Sequence, residues 1–143
     1  MKDKIDAEEK NFINLGVVLN EKKEVLMIRR RKKEIGKDSA VLEWAFPGGK
    51  QRLSETREGC VKREILAETG YDVIPIKQIA LRFHPQFFPV MIVYHLCKLA
   101  SLKQIAEPQE PHEVAEIRWV KITEIRNLIT TSLDPDVARE LRI

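Results

Sequence analysis

The chain has 143 residues, and its 25 Lys and Arg against 22 Asp and Glu leave a formal net charge of +3. That excess suits an anionic small molecule but is too slight to demand nucleic acid. The length fits one domain, residues 1–143, with a core large enough to need no covalent staples. Apolar runs fall far short of the ~20 residues that cross a bilayer, which excludes a helical membrane span.

Cys60 and Cys97 lack metal-ligand spacing, and the charged first ten residues contain no apolar leader, so both cysteines read as reduced thiols of a cytoplasmic protein. No internal repeat or low-complexity tract divides the chain. Residues 12–19 and 25–28 are β-prone runs separated by the polar break Asn20-Glu21-Lys22-Lys23, which predicts an early antiparallel pair. Five basic residues follow, from Arg29 to Lys33, and with Gly36 and Asp38-Ser39 beyond them they predict a charged loop. Such a run either faces water or attracts substrate phosphates, and Arg30 at the strand end is the best single candidate for the second role.

A short strand is expected at residues 43–46, stopped by Pro47-Gly48-Gly49 and a tight loop. Ser54 is placed to cap a helix over residues 55–69, with Glu55 and Glu58 at the positive end of its dipole and Gly70 as its stop. Two further strands are expected at 73–83 and 90–99, joined by a turn over residues 84–89 that holds two prolines. An acidic loop over residues 107–111, a strand at 114–120, a helical turn from Thr123 and a terminal helix after Pro135 complete the chain. This order is mixed rather than regularly βαβ. It predicts an α+β fold, an α/β/α sandwich built on a mixed sheet with helices on its faces.

Chemistry is concentrated between Gly49 and Tyr71. Glu64 and Glu68 lie four apart, so their carboxylates stand on one helical face and repel. Two solvated glutamates would explain a pair taken alone. The alternative is that hard oxygen donors facing one way hold Mg²⁺ or Mn²⁺ and leave coordination positions for phosphate oxygens.

Gly49, Glu55, Arg63, Glu64, Glu68 and Gly70, with Ile65 and Tyr71 at the hydrophobic positions, resemble the Nudix box of the Nudix hydrolase family at its proper spacing. Six such identities coincide by chance on the order of 10⁻⁶ per window. One position departs: where the family has paired glutamates, this chain reads Ala67-Glu68. Arg52 is a second, lesser departure at a position often acidic in relatives. The segment from Trp44 to Lys50 and that from Glu113 to Trp119 also resemble the family, so the likeness covers most of the chain.

The resemblance implies an enzyme that hydrolyses a nucleoside diphosphate linkage with divalent metal, foremost a nucleoside triphosphate pyrophosphohydrolase releasing NMP and pyrophosphate. ADP-ribose or a dinucleoside polyphosphate is the alternative substrate, and a non-catalytic nucleotide-sensing module is the alternative class. By position, the resemblance implies Glu64, Glu68 and Arg63 as catalytic residues, with Glu68 the central metal ligand, Glu64 a second ligand or proton acceptor, and Arg63 orienting both. The Gly49 carbonyl and Glu113 join the implied metal set, Glu116 being the alternative to Glu113 where Ala67 has removed a carboxylate. Arg30 and Lys50 are the candidate substrate contacts. The partner implied is a small-molecule nucleotide rather than nucleic acid or membrane. No added dimer-forming segment precedes the box, a feature that favours a free nucleotide over a nucleotide sugar, and a homodimer stays open.

Overall fold

A computed structural model describes residues 11–35, 41–129 and 133–143. The expected features at Gly36 and Asp38-Ser39, and the charged first ten residues, lie outside them. Among the described residues seven strands form one mixed sheet: β1 (Phe12–Leu19), β2 (Glu24–Ile35), β3 (Val41–Ala45), β4 (Gly48–Lys50), β5 (Val73–Phe83), β6 (Met91–Leu99) and β7 (Val114–Lys121). Helix α1 (Arg57–Thr69) falls between β4 and β5, while α2 (Ile125–Leu128) and α3 (Pro135–Leu141) follow β7. No helix among the described residues is long and apolar enough to cross a membrane.

The main strand order is β3-β2-β1-β6-β5, with β4 pairing β1 and β7 pairing β2. β1 runs parallel to β6 along its whole length, Phe12 opposite Met91 and Leu19 opposite Lys98. Consecutive residues of β1 and β2 are buried in unbroken runs, Val17-Val18 and Val25 to Ile28. Such runs mark strands covered on both faces. Val18, Leu26, Val73 and Cys97 pack against Val61 and Ile65 of α1. On the other face Val17, Val25, Met27, Phe46 and Tyr94 pack against Ile125 of α2 and Val137 and Leu141 of α3. The result is the helix–sheet–helix sandwich that the mixed element order predicts.

Three local expectations are corrected. The basic residues 29–33 are part of β2 and not a loop, because β7 and β3 supply backbone partners beyond Ile28 and a bulge after Arg29 absorbs the change of register. The charge of Arg29 is met across strands, 3.2 Å from Glu116 and 3.7 Å from Glu43. Arg31 donates from Nε to the Pro111 carbonyl at 2.8 Å. The loop expected after Pro47 instead begins as β4, since β1 offers an open edge at Ile13, Asn14 and Leu15 before it meets β2 at Leu19.

The helix cap is Thr56, not Ser54. Thr56 is extended and its hydroxyl accepts from the Gly59 N–H at 3.0 Å, whereas Ser54 has φ 70° within the preceding turn. Glu55 is held outside the helix because its carboxylate is engaged by Arg63 and by the Arg52 N–H. At the other end Gly70 stops α1 as expected, with φ 79° and its N–H on the Leu66 carbonyl at 2.9 Å. A β-carbon there would also press on the Ala106 carbonyl.

Gly70→Ala therefore combines left-handed backbone strain with a backbone collision. It should lower the urea stability by about 2–3 kcal/mol with little change in m. An unchanged urea midpoint would refute this account of the helix stop.

Candidate metal centre

The site begins where β4 leads into α1. Gly48 donates its N–H to Oε1 of Glu68 at 2.7 Å, tying the start of β4 to the last turn of the helix. The Glu64 carboxylate lies directly over Gly49: a β-carbon on Gly49 would stand 2.6 Å from Glu64 Cδ. Any other residue at position 49 would therefore displace that carboxylate.

Arg63 lies between the loop and the helix. Its Nε and Nη2 donate to the two carboxylate oxygens of Glu55 at 2.6 and 2.9 Å. Its Nη1 donates to Oε1 of Glu64 at 2.8 Å, and Nη2 also reaches the Lys50 carbonyl at 3.3 Å. A planar fork of donors suits such bidentate work better than an ammonium would. The pair is reciprocal in charge: hydrogen bonding to Arg63 holds the Glu55 carboxyl below its ordinary range, and bonding to Glu55 raises the Arg63 guanidinium above its own.

Glu64 and Glu68 are joined by Glu110 from the acidic loop, their nearest oxygens all within 4.8 Å of one another. Repulsion between two carboxylates at that distance is on the order of 3 kcal/mol at an effective dielectric of about 20. Glu68 is 7% exposed, and burial, with the charges of Glu64 and Glu110 adding, pushes its carboxyl up to about 8 despite the Gly48 N–H and the charge of Arg30. Glu110 is raised as well, first by burial and then by Glu64 and Glu113. Hard oxygen donors converging in this way fit a divalent cation, whose ligand oxygens at about 2.1 Å stand roughly 3–4 Å apart.

The acidic loop reaches this position through hydrogen bonds to the end of α1. Gln109 N–H donates to the Ala67 carbonyl at 2.8 Å, Ile105 N–H to the Gly70 carbonyl at 2.8 Å, and Gln104 Nε2 to the Thr69 carbonyl at 2.7 Å. Where the box lacks its second glutamate, the loop brings in Glu110. Sequence reasoning missed it because nothing in an acidic loop distinguishes one glutamate from its neighbours until the loop is docked.

Other expected residues fall around this centre. Arg30, at the β2 bulge, is near enough to Glu68 for its charge to lower that carboxyl. Lys50 ends β4 with its side chain exposed. The Gly49 carbonyl accepts from Cys60 Sγ at 3.5 Å, and burial pushes that thiol up to about 11, too high for a nucleophile. Glu113 lies next to Glu110 outside the convergent three, with its side chain 64% exposed. Glu116 is engaged by Arg118 and Arg29.

Trp44 is buried, with Arg118 over its ring at 4.5 Å, and belongs to the core. His84 Nδ1 accepts from the N–H groups of Gln86 and Phe87, a turn-forming role. Phe87 and Phe88 project from that turn, 60% and 79% exposed. His95, to which the sequence assigns no role, is buried and bonded to the equally buried Asn14.

A sequence model of the NUDIX domain matches residues 12–141. A Bacillus subtilis (strain 168) protein named "Putative 8-oxo-dGTP diphosphatase" is 32% identical over 71 residues, covering 50% of this chain and 42% of its own. The mRNA-decapping enzyme subunit 2 of Arabidopsis thaliana is 29% identical over 87 residues, 58% of this chain and 22% of its own length. The chain thus spans less than half of either curated relative. Among solved structures, a MutT protein from Methanosarcina mazei Go1 superimposes with a TM-score of 0.62 at 22% identity, over 94% of this chain and 93% of that one. A NUDIX hydrolase from Nitrosomonas europaea gives a TM-score of 0.64 at 16% identity, over 92% and 85%. These two likenesses concern the fold, and together with the match over nearly the whole sequence they lead to one conclusion: the chain belongs to the NUDIX domain family.

Proposed function

We propose that this protein hydrolyses a nucleoside diphosphate linkage in a reaction that depends on Mg²⁺ or Mn²⁺, with a nucleoside triphosphate as the foremost substrate and NMP and pyrophosphate as products. The observation that carries the reading is the convergence of Glu64, Glu68 and Glu110. Three neighbouring carboxylates repel both one another and an anionic substrate, so a cation is needed on either count. The names of relatives point to the same chemistry, among them the diphosphatase from Bacillus subtilis and an ADP-ribose pyrophosphatase from Streptococcus suis. ADP-ribose and dinucleoside polyphosphates are the alternative substrates within this class.

Glu68, Glu64 and Glu110 would hold the ion, with the Gly49 carbonyl as a further donor through the lone pair that Cys60 leaves free and Glu113 as an outer partner of Glu110. A bound divalent ion lowers the pKa of water, aligns the phosphates and neutralises charge on the leaving oxygen. Arg63 fixes the Glu64 carboxylate from one side and leaves its Oε2 to receive a proton from water. Arg30 and Lys50 bind substrate phosphate from β2 and β4. Arg63 acts by holding carboxylates in place, and its tether to Glu55 keeps it from turning toward the substrate.

A panel of nucleoside triphosphates, ADP-ribose, NADH and dinucleoside polyphosphates, assayed with Mg²⁺ or Mn²⁺ and again after chelation, tests the reading. At least one should be hydrolysed only with metal present, and tight binding without turnover across the panel would favour the sensor class instead. Glu68→Gln should lower turnover by several decades, and Glu110→Gln by about 10- to 100-fold. Full activity in either variant would refute the role given to that residue.

The charge of Glu68 also predicts a pH dependence for the metal-free protein. The unfolded carboxyl ionises near 4.5 and the folded one only near 8, so between these values the folded state holds the extra proton. Stability should therefore fall as pH rises from 5 to 8.5, with a slope of at most about 1.4 kcal/mol per unit. Glu68→Gln should flatten that slope, and urea midpoints measured in chelator at several pH values check it.

A further inference from the structure

A chain of hydrogen-bonded polar side chains, buried at His95 and Asn14 and half-buried at Gln51, connects the centre of the sheet to the Glu55–Arg63–Glu64 cluster. Gln51 Nε2 donates to the backbone carbonyl of Glu55 at 3.0 Å, Asn14 Nδ2 donates to Gln51 Oε1 at 2.9 Å, and His95 Nε2 lies 2.8 Å from Asn14 Oδ1. Asn14 is 0% and His95 1% exposed, so water cannot substitute for the bond between them.

The direction of the chain follows from its last member. A backbone carbonyl only accepts, so the end of Gln51 that faces Glu55 is its NH₂ group. The oxygen of Gln51 then faces Asn14, which must present its own NH₂. That leaves the Asn14 oxygen toward His95, and the histidine must donate from Nε2. Burial holds the His95 imidazole below its ordinary pKa, with Arg57 adding to that effect and Glu58 opposing it, so the neutral ring carries its single proton on Nε2. Every amide in the series has one permitted orientation.

We propose that His95, Asn14 and Gln51 are positioning residues: they set the height of Glu55 above the helix, and through Arg63 they set the direction of the Glu64 carboxylate. The inference rests on the metal-centre reading above, which gives that direction its importance. Glu55 is the junction. Its carbonyl is held by Gln51, its carboxylate by Arg63 and the Arg52 N–H, and Arg63 in turn holds Glu64 at 2.8 Å. Asn14 also sits where β1 meets both β4 and β6, opposite Gly49 on one side and Val93 on the other. A shift at His95 is therefore passed to the floor of the site as well as to its wall.

Long-range ¹H–¹⁵N spectra of the full chain should show His95 neutral and protonated on Nε2, and an Nδ1–H ring would overturn the proposal. His95→Leu and Gln51→Met each remove one link while roughly keeping volume, and Gln51 is close enough to the surface that the fold does not depend on it. Each should weaken Mn²⁺ binding, followed by the EPR signal of the free ion, about 10-fold. Each should also speed hydrogen exchange at Arg63 Nε. The double variant should bind no more weakly than either single one, since a series is broken by its first missing link. His95→Gln, which restores a donor at the same reach, should recover most of the affinity. Additive losses, unchanged Arg63 exchange, or absent Mn²⁺ binding in the unaltered chain would each overturn the relay. None of these readouts needs turnover: a chain that binds Mn²⁺ and hydrolyses nothing sinks the proposed activity and leaves the relay to be judged on binding.

Discussion

Like charge brought together without enough neutralisation is the constraint that organises this molecule. Glu64, Glu68 and Glu110 converge within 4.8 Å, and the Arg63 guanidinium bonded to Glu64 is shared with Glu55. Burial of Glu68 adds to the difficulty, since a carboxyl desolvated beside two others prefers to keep its proton. A fold that holds such a group does so against its own electrostatics, and the surrounding hydrogen bonds are what resist its separation. A cation relieves that tension, which is why the centre reads as built for one.

The framework that resists is shared among three elements. β4 supplies the Gly48 N–H to Glu68 and the uncovered Gly49 surface to Glu64. Helix α1 supplies two of the carboxylates and is held to the sheet by Val61 and Ile65. The acidic loop supplies the third through main-chain bonds to Ala67 and Gly70 and a bond from the Gln104 side chain to the Thr69 carbonyl. The loop thus depends on the helix terminus for its place, and any disturbance of that terminus moves Glu110 with it. Ala67 takes part through its carbonyl alone, so the loss of a side chain there is compatible with a complete acidic set.

Buried polarity is used sparingly elsewhere. Asn14 and His95 occupy the middle of a sheet among mostly apolar buried side chains, and an unpaired amide or imidazole there would cost about 1–3 kcal/mol. Their mutual bond and the onward bond to Gln51 remove that cost. Replacing both partners of a buried hydrogen bond by apolar groups of the same shape can be nearly neutral, so the pair is better explained by what it holds than by what it contributes to stability. Asp134 is a simpler case: buried too, it caps α3 by accepting from Asp136 and Val137.

The sequence by itself determined the strands over residues 12–19, 73–83, 90–99 and 114–120, the helix with its glycine stop, the terminal helix after Pro135, the mixed α+β order, and the Glu64–Glu68 pair. Each rests on periodicity or on local backbone demands that neighbours along the chain supply. It also determined the family resemblance, because the box is a spacing within a single helix and its loop. Tertiary structure alone decided the rest. The basic run became strand because β7 and β3 offered partners, and Ser54 lost the cap because Arg63 drew Glu55 out of the helix. Glu110 entered the site only when its loop docked on α1, and His95 acquired a role only when β6 was laid parallel to β1 beside Asn14. The last two are contacts between residues some 40 to 80 positions apart, and no local pattern encodes which of many similar polar side chains will meet.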